Sequence, residues 1–139
     1  MLTILVDNRE QAKWRFSDNV TVREITLPTG DYSIAGYEHV ICIERKSLPD
    51  LVSTVIGDWQ RFSRQLRRMA AMDVAFIVCE APVTALMEKQ YSSDANPNSV
   101  RGKLNKILLH FGVHTVFLDN PVIAAGWVEN LFQQYLENR

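Results

Sequence analysis

The sequence predicts an α/β domain: a mixed sheet of about six strands, opening with an antiparallel meander and flanked by helices on both faces. Three observations carry this. Short apolar runs at Leu2–Val6, Val40–Ile43, Val74–Cys79 and Val113–Leu118 have strand length and β-branched content. Longer segments between and after them repeat apolar residues every three or four positions, as helices do. A chain of 139 residues, 47% hydrophobic, fits one domain with a sizeable core.

In chain order, Leu2–Val6 reads as a buried strand ending in the polar run Asp7-Asn8-Arg9-Glu10. Gln11–Phe16 reads as one short helical turn, with Trp14 and Phe16 as core residues. Val20–Leu27 alternates and reads as a second strand, with Val20, Val22, Ile25 and Leu27 inward. Pro28-Thr29-Gly30 is a turn signal. Asp31 to Ile34 opens a third strand, and Ala35–Glu38 turns the chain into a fourth, Val40–Glu44. The second, third and fourth strands are expected to form the meander.

Ser47 reads as an N-cap, with Pro49 in the first turn and Asp50 at the third helical position. Leu51, Val52 and Val55 form the apolar face of the helix that follows, and Gly57-Asp58 ends it. Trp59–Met72 is a second helix, with Phe62, Leu66 and Met69 inward. Its remaining surface carries Arg61, Arg64, Gln65, Arg67 and Arg68, and no acid lies between Asp58 and Asp73. This strongly basic element is the expected contact for a phosphate backbone. Arg101, Lys103 and Lys106 on the later helix Ser99–Phe111 add a weaker patch.

Val74–Cys79 reads as a fully buried strand. Glu80 then reads as an acid at the start of the short helix Pro82–Lys89, and Tyr91–Asn98 as a surface loop. Asn120-Pro121 caps the last helix, Val122–Leu136. Its apolar face includes Ile123, Trp127, Val128, Leu131, Phe132 and Tyr135, wide for a helix covering one sheet. Broad docking on the sheet and self-association both account for that width.

Charge and cysteines narrow the class. The 15 basic and 16 acidic residues leave the chain nearly neutral, unlike a free-standing DNA binder with a basic footprint. Cys42 and Cys79 lie in apolar runs and offer neither disulfide nor zinc spacing. His39, His110 and His114 show no metal-ligand spacing. No signal peptide and no run of membrane-spanning length is present, so the expected location is cytoplasmic, or nuclear in a eukaryote, and not secreted.

The chemistry concentrates between Gly30 and Asp50. In an extended chain residues two apart share a face, so Glu44 and Lys46 point together and Arg45 points away. With Asp31 they make two carboxylates able to hold a hard divalent cation, beside a lysine able to orient water. Taken one by one, Asp31 is also ordinary turn chemistry, Glu44 with Lys46 an ordinary ion pair, and Asp50 an ordinary capping acid. The joint pattern Gly30-Asp31, a gap, Glu44-Arg45-Lys46, three residues, Asp50 arises by chance about once in ten thousand chains.

That pattern resembles the XPF-type (ERCC-type) nuclease domain, a branch of the restriction-endonuclease-like superfamily. Asp7 to Glu10 is similar to the end of the first strand in that family, and Arg61 with Gln65 to a pair on a family helix. The resemblance implies a metal-dependent DNA endonuclease of repair or recombination type, acting on branched or flap DNA with Mg²⁺ or Mn²⁺. It implies Asp31, Glu44, Lys46, Arg45, Asp50 and Arg9 as the catalytic set, and Asp7, Glu10, Asp31 and Glu44 as metal ligands. Arg61, Arg64, Gln65, Arg67 and Arg68 are the expected DNA contacts. Pairing into a homodimer or heterodimer through the late helices is expected, with no small-molecule cofactor. Residues 1–139 read as a single nuclease domain without the tandem helix-hairpin-helix module common in the family, which puts branch specificity in question. A catalytically silent DNA-binding or partner-binding scaffold of the same fold is the alternative.

Overall fold

The computed structural model describes all residues 1–139. It contains β1 (Thr3–Asp7), β2 (Thr21–Ile25), β3 (Tyr32–Ile34) and β4 (Ile41–Lys46). Next come α1 (Leu48–Gly57), α2 (Trp59–Ala70), β5 (Val74–Cys79) and α3 (Val83–Met87). The chain ends with α4 (Pro97–Phe111), β6 (His114–Phe117) and α5 (Pro121–Glu137). The six strands form one sheet in the order β2-β1-β3-β4-β5-β6.

The sheet is mixed, as expected, but the meander is not made of β2, β3 and β4. β2 lies outside β1 and runs parallel to it, with Thr3 opposite Thr21 and Asp7 opposite Ile25. The antiparallel pairs are β1 with β3 and β3 with β4. β4, β5 and β6 then run parallel. The physical reason lies in β2 itself. Four of its five residues are exposed and Val22 is open to solvent, so it is suited to a sheet edge and not to the centre. Its alternation marked a strand without saying which neighbour it takes. No helix forms over Gln11–Phe16 either; the segment is irregular and Trp14 is buried there.

Two cores follow from the alternation of side chains. On one face Cys42, Ile77 and Cys79 pack with Leu51, Leu66, Val100 and Ile107 of α1, α2 and α4. On the other, Ile4, Val6, Tyr32, Ile43 and Val78 pack with Trp14 and with Val128 and Phe132 of α5. Cys42 and Cys79 are buried, and burial pushes both thiols up to about 12, so they serve as small apolar groups.

Helix ends match their sequence signals. Ser47 accepts from the Asp50 N–H at 3.2 Å and Asn120 from the Ile123 N–H at 2.9 Å, each cap worth about 1 kcal/mol. On α5, Val122 (83% exposed), Ile123 and Trp127 (58%) stand outside the core while Ala124, Ala125, Val128 and Phe132 are buried. The wide apolar face therefore only partly docks on the sheet.

Candidate active site

Strands β1, β4 and β5 run in one direction and end at the same edge of the sheet, where the antiparallel β3 begins. Asp7, Asp31, Glu44 and Lys46 meet there by backbone pairing. The Asp7 N–H donates to the Asp31 carbonyl and the Asp31 N–H to the Ile43 carbonyl, both at 2.8 Å. Gly30 makes this approach possible. Its φ is +81°, and a Cβ there would lie 3.0 Å from Cys42 Cβ and 3.2 Å from the Ile43 carbonyl oxygen.

The faces divide as the period of two requires. Glu44 points to the α2 side, with Cys42 two residues before it in that core, and Lys46 follows it. Arg45 points to the α5 side, as Ile43 does. Asp7, Arg9, Asp31, Glu44, Gln65 and Arg68 line an open hollow of about 270 Å³ under α2. A second hollow, of about 290 Å³, adjoins it through Gln65 and Arg68 and is lined also by Lys46 and Arg61.

Asp31 lies against Glu44, whose charge acts on it. Burial, then the charge of Glu44, pushes the Asp31 carboxyl up to about 8; the Arg45 N–H, which donates to Asp31 Oδ2 at 2.8 Å, offsets only part of this. Glu44 is held on both oxygens. Gln65 Nε2 donates to Oε1 at 2.8 Å and Lys46 Nζ lies 3.4 Å from Oε2. The Lys46 ammonium also sits 5.6 Å from the centre of the Phe62 ring.

Asp7 is differently disposed. Its Oδ1 accepts from the Leu27 N–H at 2.9 Å and from Arg9 Nη2 at 2.9 Å. Its Oδ2 accepts from Arg9 Nε at 2.8 Å and from the Arg9 N–H at 3.2 Å. A carboxylate has about four lone-pair sites, and all are filled. Burial alone would raise the acid, but the Arg9 guanidinium and these N–H donors outweigh it and hold Asp7 below its ordinary value.

Glu10 lies on the opposite side, 3.2 Å from Arg45 Nη1. To reach a cation, Asp7 and Glu10 would each first give up an arginine. No three acidic, histidine or cysteine side chains converge as a ready cage. Asp31 and Glu44 are the pair that no guanidinium holds.

The other expected residues are spread around this pair. Asp50 is exposed on the first turn of α1, where its N–H is capped, and does not line either hollow. Arg61 and Arg68 face the hollows; Arg61 pairs with Asp58 at 2.7 Å and Arg68 Nε donates to Thr29 Oγ1 at 3.3 Å. Arg64 and Arg67 are exposed on the outer side of α2. Glu80 differs from its reading as a helix-start acid. No acid occupies the first turn of α3, and Glu80 instead binds Arg45 Nε at 2.9 Å and accepts from Trp14 Nε1 at 2.6 Å. The sequence signal for it is position, an acid directly after an apolar strand that pairs in parallel with β4.

The ERCC4 domain family model matches residues 6–131. The chain is 26% identical over 125 residues to the curated protein named "Putative ATP-dependent RNA helicase MJ1505" from Methanocaldococcus jannaschii, covering 89% of this chain and 14% of that protein. Among solved structures, XPF from Aeropyrum pernix superposes with a TM-score of 0.75 at 23% identity, covering 99% of this chain and 62% of that one. The same protein in complex with DNA gives 0.76 at 22% identity, covering 100% and 67%. The chain thus spans a small part of the archaeal relative and about two thirds of the structural ones.

Proposed function

The chain belongs to the ERCC4 domain family, and on that premise we propose that it is a Mg²⁺- or Mn²⁺-dependent DNA endonuclease acting on branched or flap DNA. The observation that carries this reading is the half-buried Asp31 against the buried Glu44, beside Lys46 and opening into an arginine-lined hollow. DNA as the ligand is supported by the solved DNA complex of the Aeropyrum pernix protein and by Arg61 and Arg68 along the hollows.

The donor set fits a hard divalent cation. The Asp31 carboxyl, part-buried and set against Glu44, resists being charged at neutral pH. Opposite charge placed between them removes that penalty, and carboxylate oxygen is the preferred ligand of Mg²⁺ and Mn²⁺. Asp31 and Glu44 would hold the ion, and the charge of Glu10 also acts on Asp31. When bound, the cation supplies stabilisation of charge on the phosphate oxygens in the transition state.

The chain's own groups do the rest. Lys46, fixed between Glu44 and Phe62, is placed to hydrogen-bond an attacking water. Gln65 holds Glu44 still. Arg68 and Arg61 neutralise flanking phosphates. Arg9 keeps Asp7 ionised but neutralised at the rim. Arg64 and Arg67 extend the positive surface outward along α2. Residues 1–139 act as one nuclease domain in this reading.

The exposed Trp127, Ile123 and Val122 of α5, with the adjoining Phe76 and Val116 on the sheet, favour a homodimer through this late helix.

The test is cleavage of labelled flap, nicked and plain duplex DNA with Mg²⁺, Mn²⁺ or chelator, comparing wild type with Asp31→Asn and Lys46→Met. Metal-dependent cutting lost in both variants, with flap cut faster than duplex, is the expected result. Binding without cutting under either metal would instead establish the scaffold reading.

A further inference from the structure

Behind the cleft, on the α5 side of the sheet, a second polar cluster is nearly closed to solvent. The Arg45 side chain, 10% exposed, sits between the Glu10 and Glu80 carboxylates at 3.2 and 2.9 Å. It also donates to the Ala12 carbonyl, and its guanidinium lies 5.1 Å from the centre of the Trp14 ring. Trp14 donates from Nε1 to the second oxygen of Glu80 at 2.6 Å. Its ring stacks on Tyr32, centroids 4.4 Å apart, and its backbone N–H donates to the Tyr32 hydroxyl at 2.8 Å.

The cluster grips the cleft through the chain itself. Tyr32 is the residue after Asp31, and Arg45 the residue after Glu44. The Arg45 N–H is also a hydrogen-bond donor to the Asp31 carboxylate. Each carboxylate of the pair thus hangs on a residue whose own side chain is fixed in this network. Without Glu80, the end of β4 would be restrained on this face by Glu10 and Ala12, both on the irregular segment after β1.

We infer that Trp14 and Glu80 are positioning residues for the Asp31–Glu44 pair, holding Arg45 and Tyr32 so that both carboxylates stay within reach of one cation. The inference rests on the reading of that pair as a cation site. Stability alone explains the cluster poorly. A buried ion network commonly adds little net stability over apolar packing, because desolvation offsets the attraction, whereas its directional bonds fix geometry. Arginine suits the task because its planar fork donates to two carboxylates in fixed directions while its face lies near a ring.

The test uses Trp14→Phe, which keeps a stacking ring and removes the Nε1–H, and Glu80→Gln, which keeps an acceptor for Trp14 and removes the charge. Mn²⁺ affinity is measured on the full chain by calorimetry, with thermal melting and circular dichroism beside it, and kcat and KM on flap DNA. Expected are native spectra, Mn²⁺ binding weakened about tenfold in each variant, and kcat lowered with KM for DNA unchanged. Folded variants with wild-type Mn²⁺ affinity would overturn the inference. So would both variants failing to fold, since the cluster would then be scaffold alone. Wild type that binds Mn²⁺ but cuts no DNA would defeat the endonuclease reading and leave the Mn²⁺ shift to decide this one. Wild type that binds no Mn²⁺ would defeat both.

Discussion

Gln65 Nε2 donates to Glu44 Oε1 at 2.8 Å, joining the middle of α2 to the end of β4. The helix that carries the arginines is therefore tied to the carboxylate that the proposed chemistry needs. Gln65→Ala removes the donor while leaving Glu44 buried beside Lys46. The expected loss of cleavage is about 10–100-fold, the usual cost of losing an outer partner of a metal ligand. Melting temperature is expected to change little, and kinetics on flap DNA check both statements.

Asp31 governs how stability varies with pH. Its carboxyl is pushed up to about 8 in the folded chain, from an ordinary 3.8. Between those values the folded chain holds a proton that the unfolded chain lacks, so this group's contribution to stability falls as pH rises through the window. Asp31→Asn carries no charge to bury. Its stability in chelator, read by denaturant titration, is expected to exceed that of wild type increasingly from pH 5 to pH 8, by about 1–2 kcal/mol at the top. Cleavage is expected to fall more than about a hundredfold, beyond the range of an outer partner. A difference independent of pH would contradict the raised Asp31 carboxyl.

The same proton must leave when a cation enters. Mn²⁺ affinity is expected to rise about tenfold per pH unit below pH 8 and to level off above it. Calorimetry in two buffers of different ionisation enthalpy would show about one proton released per ion at pH 6.5 and almost none at pH 9.

Asp7 is expected to behave as a structural acid more than as a ligand. Asp7→Ala leaves the buried Leu27 N–H without an acceptor and frees Arg9. The expected cost is about 1–3 kcal/mol of stability, read by denaturant titration. Mn²⁺ affinity of the folded variant should stay within a few-fold of wild type. A loss as large as that of Asp31→Asn would place Asp7 among the ligands.

Trp127, 58% exposed on α5, offers a direct check on self-association. Trp127→Glu is expected to convert a dimer to monomer in sedimentation equilibrium, with the fold retained because the ring lies outside the core. A wild-type chain that is monomeric at high concentration would remove the dimer from the proposal.

Much of this site was legible in one dimension because strands alternate. Glu44 and Lys46 share a face, and Arg45 opposes them, wherever β4 runs. The Gly30-Asp31 pair was legible for a related reason, since the chain turns tightly where a Cβ would strike Cys42. The place of β2 was not legible. Its apolar–polar period identifies a strand, but pairing with β1 or β3 depends on which edge the crossover through Trp14 covers. The ion pairs of Glu10 and Glu80 were not legible for a common reason. Their roles depend on Arg45, which is 35 residues from each along the chain.

The sequence by itself determined the strands and the helices α1 to α5, the two-sided pattern at Glu44-Arg45-Lys46 and the basic character of α2, because these follow from local periodicity and composition. Only the tertiary structure decided that Asp31 is set against Glu44, that Asp7 is saturated by Arg9 and Leu27, and that Arg45 is clamped from behind by Glu80 and Trp14. The physical reason is that hydrogen bonds and desolvation act through a few ångströms of space. The distance that matters to them is set by the packing of the sheet and not by separation along the chain.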